Sequence, residues 1–237
     1  MLTDASSRWL VGGVTMDTKR NTANPRLSHK VALRTGGGSV RIPIAKAGRF
    51  SIVAIGASAG GLDAFKQLLD LLPAHTGMAF VLIQHLDPTH PSLLTTALAP
   101  TTKMPVIEAQ HGMRVEPNHV YVMPSDADMT LDGDKFKLLA RGTSATGLHL
   151  PIDCFMVSLA TELRAQAIGV VLSGTASDGT EGLRAIQSQG GITFVQDPQT
   201  AKCPGMPESA VRAGVVDKIL PLPDLVAEIV RLSGDPY

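Results

Sequence analysis

Short apolar runs that alternate with helical patterns constrain the fold of this 237-residue chain most strongly. The runs are continuously apolar, which is typical of strands that are buried on both faces. The predicted strands cover residues 51–55, 79–83, 119–124, 168–172, 191–195 and 215–220. Such an alternation predicts an α/β fold, in which a doubly wound, mostly parallel sheet carries helices on both faces.

The helices expected between these strands follow apolar residues at helical spacing, and proline or glycine ends several of them. They cover residues 62–72, 93–98, 151–164, 180–189 and 222–233. One segment differs, because Asp132-Gly133 separates two alternating runs within residues 129–139. This pattern is typical of a β-hairpin. We therefore expect an antiparallel hairpin at one edge of the sheet.

The net charge of the chain is zero, but the charge is unevenly distributed. Residues 1–50 hold nine Lys and Arg and two Asp, so this segment carries +7 and the remainder carries −7. Residues 1–48 show no sustained apolar period. We therefore expect a disordered basic extension over 1–48 and a folded domain over 49–237. A basic segment can bind nucleic acid or an acidic membrane, but a loosely ordered extension is the simpler interpretation, and we predict no nucleic-acid partner.

The composition narrows the class of protein further. Hydrophobic residues make up 44% of the chain and charged residues 18%, which is typical of a folded protein. No apolar run reaches the roughly 18 residues that a membrane-spanning helix needs, so we predict a cytoplasmic protein without membrane insertion. Two cysteines, Cys154 and Cys203, are too few for a disulfide framework or a four-ligand zinc site. No metal site is predicted.

Three polar clusters follow predicted strands, at the sheet edge where parallel α/β folds place their chemistry. They are GASAGG at 56–61, QHLDPTH at 84–90 and SGTASDG at 173–179. Ser58 lies in the first cluster, in a G-x-S-x-G pattern between a strand and a helix. The N–H groups at the start of that helix can hold a developing oxyanion. The same turn also suits phosphate, so this pattern alone supports a hydrolase and a nucleotide-binding domain equally.

A serine hydroxyl becomes a strong nucleophile only when a base accepts its proton. Of the seven histidines, His85 is held at a strand end by the sheet, whereas His90 lies further out in the same loop. The base needs an acid that sets its tautomer. Asp178 is the candidate, although an aspartate before glycine is common in turns and helix caps. Asp87 is the local alternative.

Four segments resemble the catalytic domain of chemotaxis protein-glutamate methylesterases, the CheB family. In chain order they are IVAIGASAGGLDAF, VLIQHLDPTH, SGTASDGTEGLRAI and DPQTAKCPGMPESAV. The resemblance covers about residues 50–235. A further segment, GLHLPIDCFMVSLA, is similar to the branch of the family that is fused to methyltransferase and sensor modules. The resemblance implies a doubly wound, mostly parallel sheet and a triad that needs no cofactor.

The resemblance also implies a role for each site residue. The implied triad consists of the nucleophile Ser58, the base His85 and the acid Asp178. The implied lining residues are Ala59 and Thr175, whose backbone amides would form the oxyanion hole, and Met206. Many family members have threonine where this chain has Ala59, so a hydroxyl donor is absent here.

The implied reaction is hydrolysis of a glutamate γ-methyl ester on a chemoreceptor helix, with release of methanol. Some family members also deamidate receptor glutamine. The implied partners are the methylated cytoplasmic helices of chemoreceptors, together with sensory kinases or methyltransferases. The alternative is a catalytically idle interaction module of a sensory complex, against which the intact triad counts. Many members carry a receiver domain, which about fifty residues cannot form, so we expect none within this chain.

Overall fold

A computed structural model describes residues 50–85, 93–141 and 149–233, together with two short strands near the N-terminus. The chain divides into two compact units, Met1–Val40 and Arg41–Tyr237. In the first unit, β1 (Leu10–Val11) pairs in antiparallel fashion with β2 (Val14–Thr15). The rest of the basic extension expected over 1–48 lies outside the described residues.

The second unit is built on a sheet of seven parallel strands. Its elements in chain order are β3 (Ile52–Ala57), α1 (Gly61–Leu71), β4 (Ala79–Gln84), α2 (Leu94–Leu98), β5 (Val106–Glu108), β6 (Val120–Val122), β7 (Ala127–Asp132), β8 (Lys135–Ala140), α3 (Pro151–Leu163), β9 (Ala167–Val171), α4 (Thr180–Ser188), β10 (Ile192–Gln196), α5 (Gly205–Arg212), β11 (Lys218–Leu220) and α6 (Leu222–Leu232). The strand order is β11-β10-β9-β3-β4-β6-β5. The predicted doubly wound parallel sheet is confirmed.

Helices cover both faces of this sheet and bury two apolar cores. Side chains of α3, α4 and α5 fill one core, and side chains of α1, α2 and α6 fill the other. Along β3, Ala54 belongs to the first core, whereas Val53 and Ile55 belong to the second. All three are fully buried. The strands are continuously apolar because successive side chains point to opposite faces and both faces are covered.

The strand β3 continues two residues beyond its predicted end. The apolar run predicted a strand that ends before Gly56, but β3 runs through Ala57. Gly56 is a strand residue and not a turn residue, and it is glycine where a Cβ atom would overlap Ile152 Cγ2. The glycine therefore allows the start of α3 to pack directly on β3. The turn lies further along, where Gly60 has a φ of 76°.

In the second unit, one strand and one α-helix were not predicted from the sequence. The strand β5 has only three residues and lies at the edge of the sheet, where its side chains are half-buried or exposed. The helix α5 has eight residues and buries three of them, Met206, Pro207 and Ala210. Neither segment is long enough to show a clear apolar period.

The predicted antiparallel hairpin is confirmed as β7 and β8. It does not extend an edge of the parallel sheet, as expected, because its two strands pair with each other and form a two-stranded sheet of their own. Asp132 pairs with Lys135, so the loop consists of Gly133 and Asp134. Gly133 has a φ of 62°, a left-handed conformation that favours glycine. The hairpin is attached to the segment after β5, where Phe136 N–H donates to the carbonyl of Met113 at 2.9 Å.

In the part of the chain that the structure describes, no helix is long and apolar enough to cross a membrane.

The Gly56→Ala variant should lower the free energy of unfolding by about 1–3 kcal/mol, because the added methyl group would overlap Ile152 in a packed core. Urea unfolding followed by circular dichroism measures this loss. In an Ile152→Ala background the same change should cost much less, since the shortened side chain leaves room for the methyl group. Equal losses in the two backgrounds would show that this close contact does not explain the glycine.

Candidate active site

The register of β3 and β4 brings Ser58 and His85 to the same edge of the sheet. Ala57 pairs with Gln84 in this parallel register, and Ser58 and His85 directly follow the two strands. Ser58 lies between β3 and α1, as the G-x-S-x-G pattern predicted. Its backbone N–H donates to the carbonyl of Ser173 at 3.0 Å, which ties the serine turn to the loop after β9.

Asp178 lies in this loop after β9, the strand that pairs with β3 on the side opposite β4. The distance from His85 Nε2 to Asp178 Oδ2 is 3.0 Å. The imidazole side chain is 30% exposed, whereas that of the aspartate is 2% exposed. The structure therefore brings two of the three predicted triad residues into contact and leaves the histidine open to solvent on one side.

The third predicted triad residue, Ser58, lies next to this pair by strand register. Within the described residues, no hydrogen bond joins the Ser58 hydroxyl to His85. Because Asp178 holds His85 through Nε2, the ring nitrogen that remains for a serine proton is Nδ1. Such contacts often tighten only when the substrate is bound.

The Asp178 carboxylate accepts three backbone N–H groups in addition to His85. Oδ2 accepts Ile152 N–H at 3.0 Å, and Oδ1 accepts the N–H groups of Asp153 and Gly179, each at 2.9 Å. Ile152 and Asp153 belong to the first turn of α3, where unpaired N–H groups and the helix dipole favour a negative charge. Asp178 is therefore a helix cap as well as the partner of His85.

Asp153 is a second buried carboxyl in this region and was not predicted from the sequence. Its Oδ1 accepts Gly182 N–H, in the first turn of α4, at 2.7 Å. Burial, and then the negative charge of Asp178, raise the pKa of Asp153 to about 7. An acidic residue in the first turn of a predicted helix suggests a local cap. The sequence gives no sign of a contact with the next helix.

The predicted lining residue Met206 lies against the serine turn. A Cβ atom at Gly174 would overlap Met206 Sδ and would lie 3.1 Å from Ser58 Cβ, so Gly174 fills the narrow space between these two residues. Met206 is fully buried, and its N–H donates to the Gly174 carbonyl at 2.9 Å. A larger residue than glycine at position 174 would push Met206 and the serine turn apart.

The other two predicted lining residues, Ala59 and Thr175, lie in neighbouring exposed turns. Among the described residues, neither of their backbone N–H groups has a hydrogen-bond acceptor. The turns are connected through Ser173, whose hydroxyl donates to the Ala59 carbonyl at 2.8 Å and accepts Cys203 N–H at 3.0 Å. Ser173 is 1% exposed, so this connection is protected from water.

Cys154 lies in the first turn of α3, near the acids of the site. Burial, followed by the negative charges of Asp128, Asp178 and Asp153, raises the pKa of the Cys154 thiol to about 11. The thiol therefore stays protonated at neutral pH and is a poor nucleophile. In the described ranges, no group of three or more His, Cys, Asp or Glu residues is arranged to hold a metal ion.

The two alternatives that the sequence analysis left in the loop after β4, Asp87 and His90, lie outside the described residues. Among the described histidines, His75 and His111 are exposed. His111 Nδ1 lies 3.3 Å from the Leu138 carbonyl, on the hairpin.

Comparison with protein families identifies the family of the domain that carries this site. Residues 53–229, which include all of the site residues described above, match the family model for CheB methylesterase. The chain belongs to the CheB methylesterase family. The family's catalytic domain has a solved example from Thermotoga maritima, which is similar to this chain with a TM-score of 0.73 and 28% sequence identity. That similarity covers 78% of this chain and 99% of the Thermotoga chain.

Two relatives show how much of a full-length protein this chain represents. A Geobacter sulfurreducens protein named protein-glutamate methylesterase/protein-glutamine glutaminase 1 is 33% identical over 195 residues, which cover 80% of this chain and 54% of the relative. A Leptospira interrogans relative is 31% identical over 184 residues, which cover 78% of this chain and 95% of the relative. The chain thus spans about half the length of several relatives that it matches and nearly all of another.

The Asp153→Asn variant should flatten the pH dependence of stability. Folding raises the pKa of Asp153 from 3.8 to about 7, so the folded state binds a proton that the unfolded state releases in this interval. The resulting stability is complete below about pH 4 and is lost as the pH rises toward 7. Between about pH 4.5 and 7.5, wild type should lose at least about 1 kcal/mol more than the variant in urea unfolding.

The control for this measurement is Asp224→Asn, at an exposed position of α6. It should keep the wild-type dependence on pH. An Asp153→Asn variant that also kept the wild-type dependence would show that Asp153 does not hold its proton in the folded protein.

Proposed function

We propose that this chain is a serine hydrolase that demethylates glutamate γ-methyl esters on chemoreceptor proteins and releases methanol. The observation that carries the proposal is the 3.0 Å contact between His85 Nε2 and the buried Asp178. This contact lies at the sheet edge where Ser58 follows β3. Membership of the CheB methylesterase family supports the same reaction.

In the proposed reaction, Ser58 attacks the ester carbonyl while His85 Nδ1 accepts the hydroxyl proton. The negative charge that develops on the ester oxygen would be held by the N–H groups of Ala59 and Thr175. Asp178 would stabilise the imidazolium that forms, and the contact of its Oδ2 with Nε2 would fix the orientation of the ring. His85 then gives its proton to the departing methoxide, which leaves as methanol. In the second half of the reaction, water gives a proton to His85 and attacks the acyl-enzyme, and His85 returns the proton to Ser58 as the glutamate is released.

The same residues can deamidate receptor glutamine, because an amide and an ester pass through the same kind of tetrahedral intermediate. The proton from His85 would then go to the leaving ammonia. The Geobacter relative carries both activities in its name, which supports deamidation as a second activity. Ammonia is a poorer leaving group than methanol, so we expect the ester to react faster.

The proposed substrate also sets the proposed partners and location. The resemblance to CheB methylesterases implies that the methylated glutamates lie on cytoplasmic helices of chemoreceptors, so we propose that the chain acts in the cytoplasm and docks on these helices. Sensory kinases and methyltransferases of the same signalling complex are the further partners that we propose. The absence of a spanning helix from the described residues is compatible with this proposal.

The Ser58→Ala variant should lose esterase activity by about a thousandfold or more, as serine triads typically do. Its fold should be preserved, because the residue is partly exposed in a turn and its side chain only becomes smaller. The measurement is methanol release from a methylated receptor fragment, together with labelling by a fluorophosphonate probe.

The matched control is Ser177→Ala, since Ser177 is an exposed serine of the neighbouring loop. It should keep both turnover and labelling. Near-normal turnover of a correctly folded Ser58→Ala protein would remove Ser58 from the mechanism.

Methylated receptor fragments should be hydrolysed with a higher kcat/KM than p-nitrophenyl acetate or free glutamate γ-methyl ester. The triad can attack many acyl groups, so selectivity must come from docking a protein surface beside it. Binding energy from the receptor helix would then position the ester against Ser58. If the small esters react faster than every receptor fragment, the triad remains but chemoreceptors are not the substrate.

A further inference from the structure

The first turns of α3 and α4 cap each other through two aspartates. Asp178, two residues ahead of α4, accepts the N–H groups of Ile152 and Asp153 in α3 at 3.0 and 2.9 Å. Asp153, in α3, accepts Gly182 N–H in α4 at 2.7 Å. Neither helix has a side-chain cap from its own N-cap residue. Each helix start is therefore stabilised by a carboxylate that is attached to the other helix.

The two helix starts also approach each other closely at a glycine. A Cβ atom at Gly182 would lie 2.5 Å from Met156 Cβ and 3.3 Å from Asp153 Cα. Only glycine fits at this position without moving α3, because the contacting atoms lie at the base of the neighbouring side chains. The short distance keeps Gly182 N–H within reach of Asp153, whose side chain is itself short.

This arrangement fixes the position of the acid that contacts His85. Each oxygen of Asp178 accepts an N–H group from α3, and Oδ2 in addition contacts His85. If α4 moved relative to α3, the loop that carries Asp178 would move with it, and a bond of 3.0 Å does not tolerate a large displacement. The hydrogen bond from Gly182 N–H to Asp153 joins the two helices in the other direction. We call the contacts of Asp178 with α3 and of Asp153 with α4 the clamp.

We propose that Asp153 is a positioning residue, which clamps α4 to α3 so that the Asp178 carboxylate stays in line with His85. The proposal rests on the proposed function only for its kinetic readout. Asp153 does not contact the serine turn in the structure, so its effect must pass through Asp178.

The negative charges around Asp153 destabilise the folded protein when Asp153 is ionised. It faces the carboxylate of Asp178 and, from α4, that of Glu181, which pairs with Arg184 at 3.2 Å. On its own helix it lies beside Cys154, whose protonated thiol is neutral at pH 7. Like charges that are brought together in a buried place cost free energy. Such an arrangement is common where a functional site needs it.

The titration of Asp153 gives the proposal a readout that general destabilisation lacks. The pKa of Asp153 is about 7, so near-neutral pH changes the charge on the clamp. Ionised Asp153 accepts Gly182 N–H more strongly and places a second negative charge behind the pair of His85 and Asp178. Both effects favour the imidazolium of the transition state. The ratio of wild-type to Asp153→Asn labelling rates should therefore rise between about pH 6 and pH 8.

The decisive experiment is a double-mutant cycle in the full chain, with the rate of fluorophosphonate labelling of Ser58 as the readout. Asp153→Ala should slow labelling by about tenfold or more in the wild-type background. It should slow labelling by less than about twofold in the Asp178→Ala background, where no carboxylate remains to be positioned. Equal factors in the two backgrounds would overturn the proposal.

Two further variants separate positioning from loss of stability. Asp153→Asn keeps an oxygen that can accept Gly182 N–H, so its labelling rate at pH 6 should be within about threefold of wild type. Asp217→Ala removes a carboxylate that accepts Thr193 N–H and its hydroxyl at 2.9 Å, between β10 and β11. It should lower Tm without slowing labelling. A folded Asp153→Asn protein that is as slow as Asp153→Ala would contradict the clamp.

A spectroscopic measurement keeps the test independent of the proposed reaction. In a ¹H–¹⁵N spectrum, the ring proton of His85 on Nε2 should be visible in wild type and in Asp217→Ala, and lost or strongly shifted in Asp153→Ala. An unchanged signal in Asp153→Ala would overturn the positioning role. A wild-type protein that shows the signal but is not labelled would overturn the proposed function and leave the clamp in place.

Discussion

The burial of one carboxylate, Asp178, is the constraint on which the candidate site depends. A charge that is 1% exposed is tolerable only when donors replace the lost water. Three backbone N–H groups and one imidazole nitrogen do so here. To supply them, the start of α3, the start of α4 and the end of β4 must meet at one point. Much of the local packing, including the glycines at positions 56 and 182, allows that meeting.

The parallel sheet contributes a second constraint of a different kind. Parallel strands end at a common edge, so residues that are far apart along the chain are delivered to one place without specific contacts between their loops. The pairing of Ala57 with Gln84 brings Ser58 and His85 to the same edge of the sheet, and β9 adds the third loop next to β3. The hydroxyl of Ser173 then ties the serine turn to the loop at Cys203. Strand register thus brings the serine, the histidine and the aspartate to one edge, and hydrogen bonds between the loops then fix their orientation.

The sequence predicted those features that follow from local rules. Apolar runs gave the strands, and consecutive parallel strands are commonly neighbours, so Ser58 and His85 could be placed together. Asp178 is a harder case, because β9 is separated from β3 by five other strands in the chain and their adjacency is not a local property. Its place after a predicted strand made Asp178 a candidate beside Asp87, and the resemblance to CheB methylesterases favoured Asp178. Asp153 was missed, because a contact between two helix starts leaves no periodic or compositional signal. The strand β5 was missed because it is short and half-exposed.

The hairpin of β7 and β8 differs from the rest of the domain in how it is anchored. Its two strands pair with each other and lie outside the seven-stranded sheet. Its turn at Gly133 and Asp134 is exposed, and a side chain added at Gly133 would meet open space. Lengthening this turn would leave the register of β3, β4 and β9 unchanged. The hairpin tip is therefore where evolution can append recognition sequences, or an experimenter a fluorophore, without shifting the strands that carry the serine, the histidine and the aspartate.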